Sequence, residues 1–270
     1  MTYCGKPIVD EASRTQAQAL NRLGLTDVQA GNMASGLARF EEAARLDPTV
    51  AEYPNNAGMC QFKLAQLDSA ARSFAAAIKL NPKSSLYYLN QGTAYAAMGD
   101  RGVAIELFQE AIKLDPTSFV ARFQLGLMYF NSGKQDKARE AWTAALDHGD
   151  SVEIETGLGV IAMNKNEDSD AETYFQRAQK LNAEFPQLHY NLGVLYQKRK
   201  EYTKAEESYL RSVKLDPKSF ITYYNLAVVQ SQLGKKDRAT ESLNKFLSIL
   251  PEGFDAQRAD AMRMLKELKK

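Results

Sequence analysis

Small and large hydrophobic residues recur along the chain with a spacing of 34 positions. The stretch 85–118 carries Gly92, Ala104, Phe108 and Pro116, with polar residues between them. The same residue types return one period earlier, and one period later with one residue dropped, as Gly58, Ala70, Phe74, Pro82, Gly126, Ala138 and Trp142. A fixed period of about 20–50 residues is typical of an array of stacked structural repeats.

Each period divides into two helical patterns joined by a short turn, which predicts an all-α chain without strands. We place seven repeats at 17–50, 51–84, 85–118, 119–151, 152–185, 186–219 and 220–253. A leader, 1–16, precedes them, and Asp10 is a candidate N-cap for a helix that begins there. Residues 254–270 predict an amphipathic capping helix with apolar positions 254, 261, 265 and 268, which would pack against Leu243 and Phe246.

Three positions of the repeat are predicted to form the core. The eighth is glycine in six repeats and Ala227 in the last, the twentieth is glycine or alanine, and the twenty-fourth is large, as in Phe108 and Trp142. Small residues let paired helices approach closely, and the large residue fills the space beside them. Glycine suits a left-handed turn between the two helices, and it stands there as Gly31, Gly99, Gly133 and Gly234.

This pattern resembles the tetratricopeptide repeat family, whose signature is Leu-Gly-x-x-Tyr, Ala-x-x-x-Phe and then Pro. Residues 125–129 read Leu-Gly-Leu-Met-Tyr, and Ala104, Phe108 and Pro116 supply the later elements. The resemblance covers 17–253 and implies a right-handed α-solenoid of tandem helix-turn-helix repeats. The fourth repeat is one residue short and lacks the proline, so we expect the softest point of the stack around 147–152.

The family places its ligands in a concave groove lined by the first helices, and by that resemblance positions 2, 5, 6, 9, 12 and 13 of each repeat face it. Position 6 is an amide in five repeats, interrupted by Gly157, and we name this set the amide ladder: Asn56, Asn90, Gln124, Asn191 and Asn225. Asparagine is a middling helix former and stabilises a helix interior little. A regular set of amides on one face therefore suggests that the ladder hydrogen-bonds to an extended peptide. The alternative is that the amides recur by duplication and face water. Candidate aromatic contacts beside it are Phe62, Phe123, Phe130, Tyr190 and Tyr224.

Charge excludes some partners and leaves others open. The net charge of +1 favours neither nucleic acid nor an anionic membrane, and the groove positions offer few cations beyond Lys63 and Lys198. We count a net −6 over 85–185 and +6 over 186–270, which indicates either ordinary solvated helix faces or a bipolar surface that orients a partner. An acidic chaperone C-terminus is not an expected ligand, because the family's lysine and arginine positions for it are apolar or amide residues here, at Leu86, Leu89, Val120 and Phe123 among others.

No catalytic, cofactor or metal site is predicted. His148 and His189 are the only histidines, and no cluster has metal-ligand spacing. The pairs Glu41-Glu42 and Glu206-Glu207 are interpreted as solvated helix faces.

The sequence therefore predicts a non-catalytic scaffold that binds a protein or peptide segment, without a transmembrane segment and with a cytoplasmic location. Two alternatives remain open. One is a periplasmic or outer-membrane lipoprotein that assists pilus or secretin assembly and is anchored through Cys4, and the other is a self-assembling scaffold, a homo-oligomer.

Overall fold

The computed structural model describes residues 2–3, 6–7 and 9–269. Over these residues the chain forms fifteen helices, which are α1 Glu11–Gln29, α2 Met33–Leu46, α3 Glu52–Lys63, α4 Leu67–Leu80, α5 Ser85–Met98, α6 Arg101–Leu114, α7 Phe119–Asn131, α8 Gln135–Leu146, α9 Val152–Asn164, α10 Asp168–Leu181, α11 Pro186–Lys198, α12 Tyr202–Leu215, α13 Phe220–Gln232, α14 Lys236–Ile249 and α15 Asp255–Leu268. The predicted all-α class and its tandem helix-turn-helix arrangement are confirmed. We call the odd-numbered helices α1–α13 the first helices and α2–α14 the second helices.

The beginning of the chain contains two strands that the sequence did not predict. Two short antiparallel strands, β1 Thr2–Tyr3 and β2 Lys6–Pro7, pair Thr2 with Pro7 and Tyr3 with Lys6. Strands of two residues are too short to leave an alternating pattern, which is why none was expected. Helix α1 then begins inside the predicted leader, and Asp10 caps it as expected, accepting a hydrogen bond from the backbone N–H of Ser13 at 2.9 Å. Cys4, the proposed lipid anchor, lies outside the described residues.

The helices group into two compact units, unit 1 from Met1–Gly149 and unit 2 from Asp150–Lys270. In both, each first helix packs against its own second helix, and that second helix packs against the next first helix. The division falls within 147–152, where the repeat departs from its period. Helix α8, in the short repeat, has 12 residues where the second helices on either side of it have 14.

A glycine of the first helix faces an aromatic ring of the second helix in most pairs. A Cβ built on Gly92 would lie 2.7 Å from Phe108 Cε1, and the same distance separates a Cβ on Gly58 from Phe74. Phe108 and its counterparts Phe40, Phe74, Trp142, Phe175 and Tyr209 are almost entirely buried. The ring therefore occupies the volume that any larger residue would need, and glycine is required by packing. In the last pair the ring is replaced by Leu243, and the glycine by Ala227.

The turns inside the pairs take the left-handed backbone conformation that the glycines predicted. Gly31, Gly99, Gly133 and Gly234 have φ between 71° and 85°. The other three turns use the same conformation without glycine, since Ala65, Asn166 and Lys200 have φ of 58° to 61°. The packing of the two helices thus imposes the turn even where the residue disfavours it by about 1–2 kcal/mol.

The last helix closes the end of unit 2. Phe254, Leu265 and Leu268 of this segment pack against Phe246 and Leu250 around the buried Ala261. The capping role predicted from the amphipathic pattern is confirmed, because these contacts cover the apolar surface of α14 that a following repeat would otherwise cover.

We predict that Gly92→Ala lowers the free energy of unfolding by about 1–3 kcal/mol, because the new methyl group overlaps the Phe108 ring. The double variant Gly92→Ala with Phe108→Leu recreates the Ala227–Leu243 pair of the last repeat. Its loss in the free energy of unfolding should therefore be smaller than the sum of the losses in the two single variants. Urea unfolding of the four proteins in a double-mutant cycle measures this coupling. Simple additivity would contradict the proposed contact.

Candidate functional site

The first helices line the inner side of each unit. Successive first helices approach one another, α3 with α5 and α5 with α7 in unit 1, and α9 with α11 in unit 2. The second helices stand further apart, with open grooves of about 550 Å³ between α6 and α8, 640 Å³ between α10 and α12, and 740 Å³ between α12 and α14. The layer whose members converge is the concave one, so the exposed side chains of first helices face the concave surface of their unit.

In unit 1 the amide ladder makes hydrogen bonds between neighbouring first helices. Asn56 Nδ2 donates to Asn21 Oδ1 at 3.0 Å, and Asn90 Nδ2 donates to Asn55 Oδ1 at 2.8 Å. Asn21 Nδ2 in turn donates to Glu52 Oε1 at 3.0 Å. These amides therefore join one repeat to the next, with a separation of 35 residues in both ladder bonds.

In unit 2 the same connection joins the last first helices and the cap. Asn225 Nδ2 donates to the Tyr190 hydroxyl at 3.2 Å, and the Tyr224 hydroxyl donates to the Asp260 carboxylate on α15. Arg263 also pairs with Asp260. Asn21, Asn55 and Asp260 were absent from the predicted site. Asn21 and Asn55 are polar residues at position 5 of their repeats, and each lies 35 residues before the ladder amide that it contacts. This spacing could have predicted both residues from the sequence.

Two members of the ladder make no such bond. Within the described part of the chain, the side chains of Gln124 and Asn191 have no hydrogen-bond partner. For Gln124 the reason is chemical, because the residue 35 positions earlier is Leu89, which has no acceptor. For Asn191 that residue is Thr156, which is 4% exposed and whose hydroxyl likewise finds no partner among the described residues.

The predicted aromatic contacts are all half-buried, and each also packs against its own neighbours. The Phe130 ring lies 5.3 Å from Trp142, the Tyr224 ring 5.3 Å from Phe246, and the Tyr190 ring 6.0 Å from Tyr209. Phe62 packs against the buried residues between α4 and α5. Phe123 instead stacks along its own helix, with its ring 6.2 Å from Phe119. The Phe123 ring thus contacts a ring of its own helix, α7, whereas Phe130, Tyr190 and Tyr224 contact rings of second helices.

Some apolar side chains of the first helices are more exposed than these rings. Met59, Leu86 and Val120 are each 50% exposed, and Ile221 is 44% exposed. Leu86, Val120 and Ile221 occupy position 2 of three repeats, and Met59 occupies position 9, both of which face the concave side. These four side chains leave apolar surface in water on first helices of both units.

The second helices contain a buried polar group that the sequence did not suggest. Glu206 was expected on a solvated face, but it is 3% exposed. Its carboxylate pairs with Lys235 and accepts a hydrogen bond from Gln230 Nε2 at 3.4 Å, and Gln230 Oε1 accepts from Ser242 at 2.8 Å. The following repeat covers Glu206 and supplies its partners, so burial here depends on residues 24 to 36 positions away.

The remaining reactive side chains have structural surroundings. His189 is buried, and its Nε2 donates to the Ala183 carbonyl at 2.8 Å. Burial raises the pKa of the Cys60 thiol and of the Glu155 carboxyl. Among the described residues no group of three or more His, Cys, Asp or Glu side chains could hold a metal ion. In the same part of the chain, no helix combines the length and apolar character needed to cross a membrane.

Comparison with known families agrees with this architecture. Models described as tetratricopeptide repeat match residues 21–85, 61–119, 89–153, 186–219 and 208–241, which together cover well over half of the chain. The chain belongs to the tetratricopeptide repeat family. Tetratricopeptide repeats generally serve as interaction scaffolds. A comparison with curated proteins finds no match.

Solved tetratricopeptide repeat structures share the fold at low sequence identity. The structure of pilF from Pseudomonas aeruginosa has a TM-score of 0.69 at 16% identity, over 82% of this chain and 100% of that one. YrrB, a TPR protein with an unusual peptide-binding site, has a TM-score of 0.56 at 22% identity, over 70% and 98% of the two chains. MamA has a TM-score of 0.56 at 23% identity, over 58% and 92%.

We predict that Asn90→Ala lowers the free energy of unfolding by about 1–3 kcal/mol, because it leaves the buried Asn55 carbonyl oxygen without its donor. Gln124→Ala is the matched control, since it removes a ladder amide that has no partner among the described residues, and its effect should stay below about 0.5 kcal/mol. Urea unfolding measures both. Equal losses would contradict the role of Asn90 as a link between repeats.

We predict a stability loss at high pH that depends on Tyr224. Burial and the hydrogen bond to Asp260 raise the pKa of Tyr224 to about 12, whereas a tyrosine of the unfolded chain has a pKa of about 10. The protonated Tyr224 hydroxyl therefore contributes its full stabilisation of the folded state below pH ~10, and this stabilisation is lost as the pH rises toward ~12. Tyr224→Phe should make stability fall less steeply over this range than in the unaltered chain. Tyr202→Phe in α12 is the control, and an equal change in both variants would contradict the prediction.

Proposed function

We propose that this chain is a non-catalytic scaffold that binds a peptide segment of a partner protein on the concave face of its first helices. The observation that carries the proposal is the set of half-exposed apolar side chains, Met59, Leu86, Val120 and Ile221, on the concave side of first helices. Apolar side chains left in water on an otherwise well-packed repeat are stabilised when a partner covers them.

The amide ladder would contribute in two different ways. Asn56, Asn90 and Asn225 already donate to neighbouring first helices, so their main effect is to hold the concave face in shape. Gln124 and Asn191 have donors and acceptors that no described residue uses. An amide in this state can bond a peptide backbone in both directions, with a contribution of about 0.5–1.5 kcal/mol for each bond.

The chemistry of the concave face favours an uncharged peptide ligand over an acidic C-terminus or a nucleic acid. Helices α5 and α7 present apolar and amide side chains where a clamp for an acidic C-terminus would need lysine and arginine, and a nucleic acid would likewise find few cations there. YrrB, which shares the fold, is described as having an unusual peptide-binding site, and this is compatible with a peptide ligand here.

Location and self-assembly stay predictions. The cytoplasmic location and the lipid-anchored alternative differ in the state of Cys4. A homo-oligomer would use either the concave face or the ends of the units.

We predict that partner contacts concentrate on the concave face. A photo-reactive phenylalanine analogue at Met59 or Ile221 should cross-link to a partner protein in the native cell. Leu114 of α6 and Leu210 of α12 are matched controls, because they are 40% and 43% exposed on second helices. Adducts should appear at the two concave positions and be weak or absent at the controls. Adducts confined to Leu114 and Leu210 would contradict the proposal.

A further inference from the structure

Helix α5 is exposed on one side yet carries no charged residue. Its sequence, SLYYLNQGTAYAAM, contains no Asp, Glu, Lys or Arg. Helix α7, the next first helix, reads FVARFQLGLMYFN and contains one charge, Arg122. The Arg122 guanidinium donates to the Pro116 carbonyl at 2.6 Å and lines the groove between α6 and α8 on the convex side. No charged group of either helix therefore contributes to the concave face.

The second helices of the same two repeats are charged in the usual way. Helix α6 carries Arg101, Glu106, Glu110 and Lys113, and α8 carries four charged residues within its first six positions. A surface helix normally keeps charged residues on its solvent side. The lack of charge thus distinguishes α5 and α7 from the second helices with which they are paired, and also from α3, which carries Glu52 and Lys63.

A neutral face results, which we define as Leu86, Leu89, Val120, Phe123 and Gln124. Leu86 and Val120 occupy the same position of successive repeats, and each is 50% exposed. Leu89 and Phe123, also equivalent to each other, are half-buried behind them. Gln124 lies beside Phe123 on α7 and has no hydrogen-bond partner within the described part of the chain.

We infer that the neutral face of α5 and α7 binds an extended partner segment whose contacting side chains are apolar and uncharged. This rests on the proposed function and specifies its ligand. An ionised side chain placed against these residues would lose its hydration and gain no counter-charge, so a charged segment is disfavoured. An apolar segment has no comparable hydration free energy to lose, and it removes Leu86 and Val120 from water.

The free amide of Gln124 favours an extended segment over a helical one. A helix satisfies its backbone N–H and C=O groups internally, whereas an extended chain presents both to a neighbouring amide. Gln124 can donate to a backbone carbonyl and accept from a backbone N–H. Asn90, the equivalent amide on α5, already donates one Nδ2 hydrogen to Asn55 Oδ1 at 2.8 Å, so Gln124 keeps more of its hydrogen-bonding capacity for a ligand.

The test is selection of short random peptides displayed on phage against the full chain, followed by affinity measurement of the enriched peptides. Enriched peptides should lack Asp, Glu, Lys and Arg at their contacting positions. Val120→Glu should weaken their binding by at least about tenfold, and Gln124→Ala by roughly threefold to tenfold. A lysine substituted into the peptide should restore part of the affinity for Val120→Glu. Leu114→Glu, which places the same charge on second helix α6, should leave affinity unchanged.

Other outcomes separate this inference from the proposed function. Peptides that bind equally to the unaltered chain and to Val120→Glu, but more weakly to Ile221→Glu in unit 2, would overturn the neutral face and retain peptide binding on a concave face. Failure to enrich any peptide, or affinity insensitive to both substitutions, would overturn both. If the unaltered chain sediments as a dimer that Val120→Glu dissociates, the face belongs to a second copy and the inference is wrong. Melting curves verify folding, and Leu86→Lys replaces Val120→Glu if that variant is unfolded.

Discussion

In six of the seven helix pairs, a glycine of the first helix contacts a large ring of the second helix, and this contact governs the geometry of the pair. The Phe108 ring fills the volume where a Cβ of Gly92 would stand, so glycine is what allows the two helices of the pair to approach closely. The last pair shows the same constraint from the other side, since Leu243 occupies less space and Ala227 is accommodated. Repetition of this contact within each unit brings equivalent residues of successive first helices to equivalent places.

Regular stacking produces the hydrogen bonds between first helices. Asn56 and Asn90 each donate to an amide on the preceding first helix, and in unit 2 Asn225 donates to Tyr190 in the same way. The connection stops where the earlier residue is Leu89, because a hydrocarbon side chain offers no acceptor. One repeated geometry therefore yields two kinds of amide along the ladder: those that bind the neighbouring repeat and those, such as Gln124, that have no hydrogen-bond partner among the described residues.

The two layers of helices differ in chemistry as well as in position. The convex layer is charged and contains grooves, and where a charge is buried there, as at Glu206, the next repeat supplies Lys235 and Gln230 as partners. The concave layer of α5 and α7 presents apolar and amide groups to water. Burial of apolar area is non-directional, while a single amide bond orients the backbone that it meets. A neutral peptide segment satisfies both requirements.

The sequence by itself determined the period, the pairing of small with large residues, the glycine turns, the cap at Asp10 and the closing helix. Each of these depends on residues close together in the chain or on simple repetition. Only the tertiary structure decided which polar side chains are used internally. Glu206 is buried, Asp260 accepts from Tyr224, and Asn90 donates to Asn55, and in each case the partner comes from a neighbouring helix. The reason is that a half-buried polar group bonds to whatever the next helix places within about 3 Å, and the spacing between ladder partners is 35 residues where the period is 34.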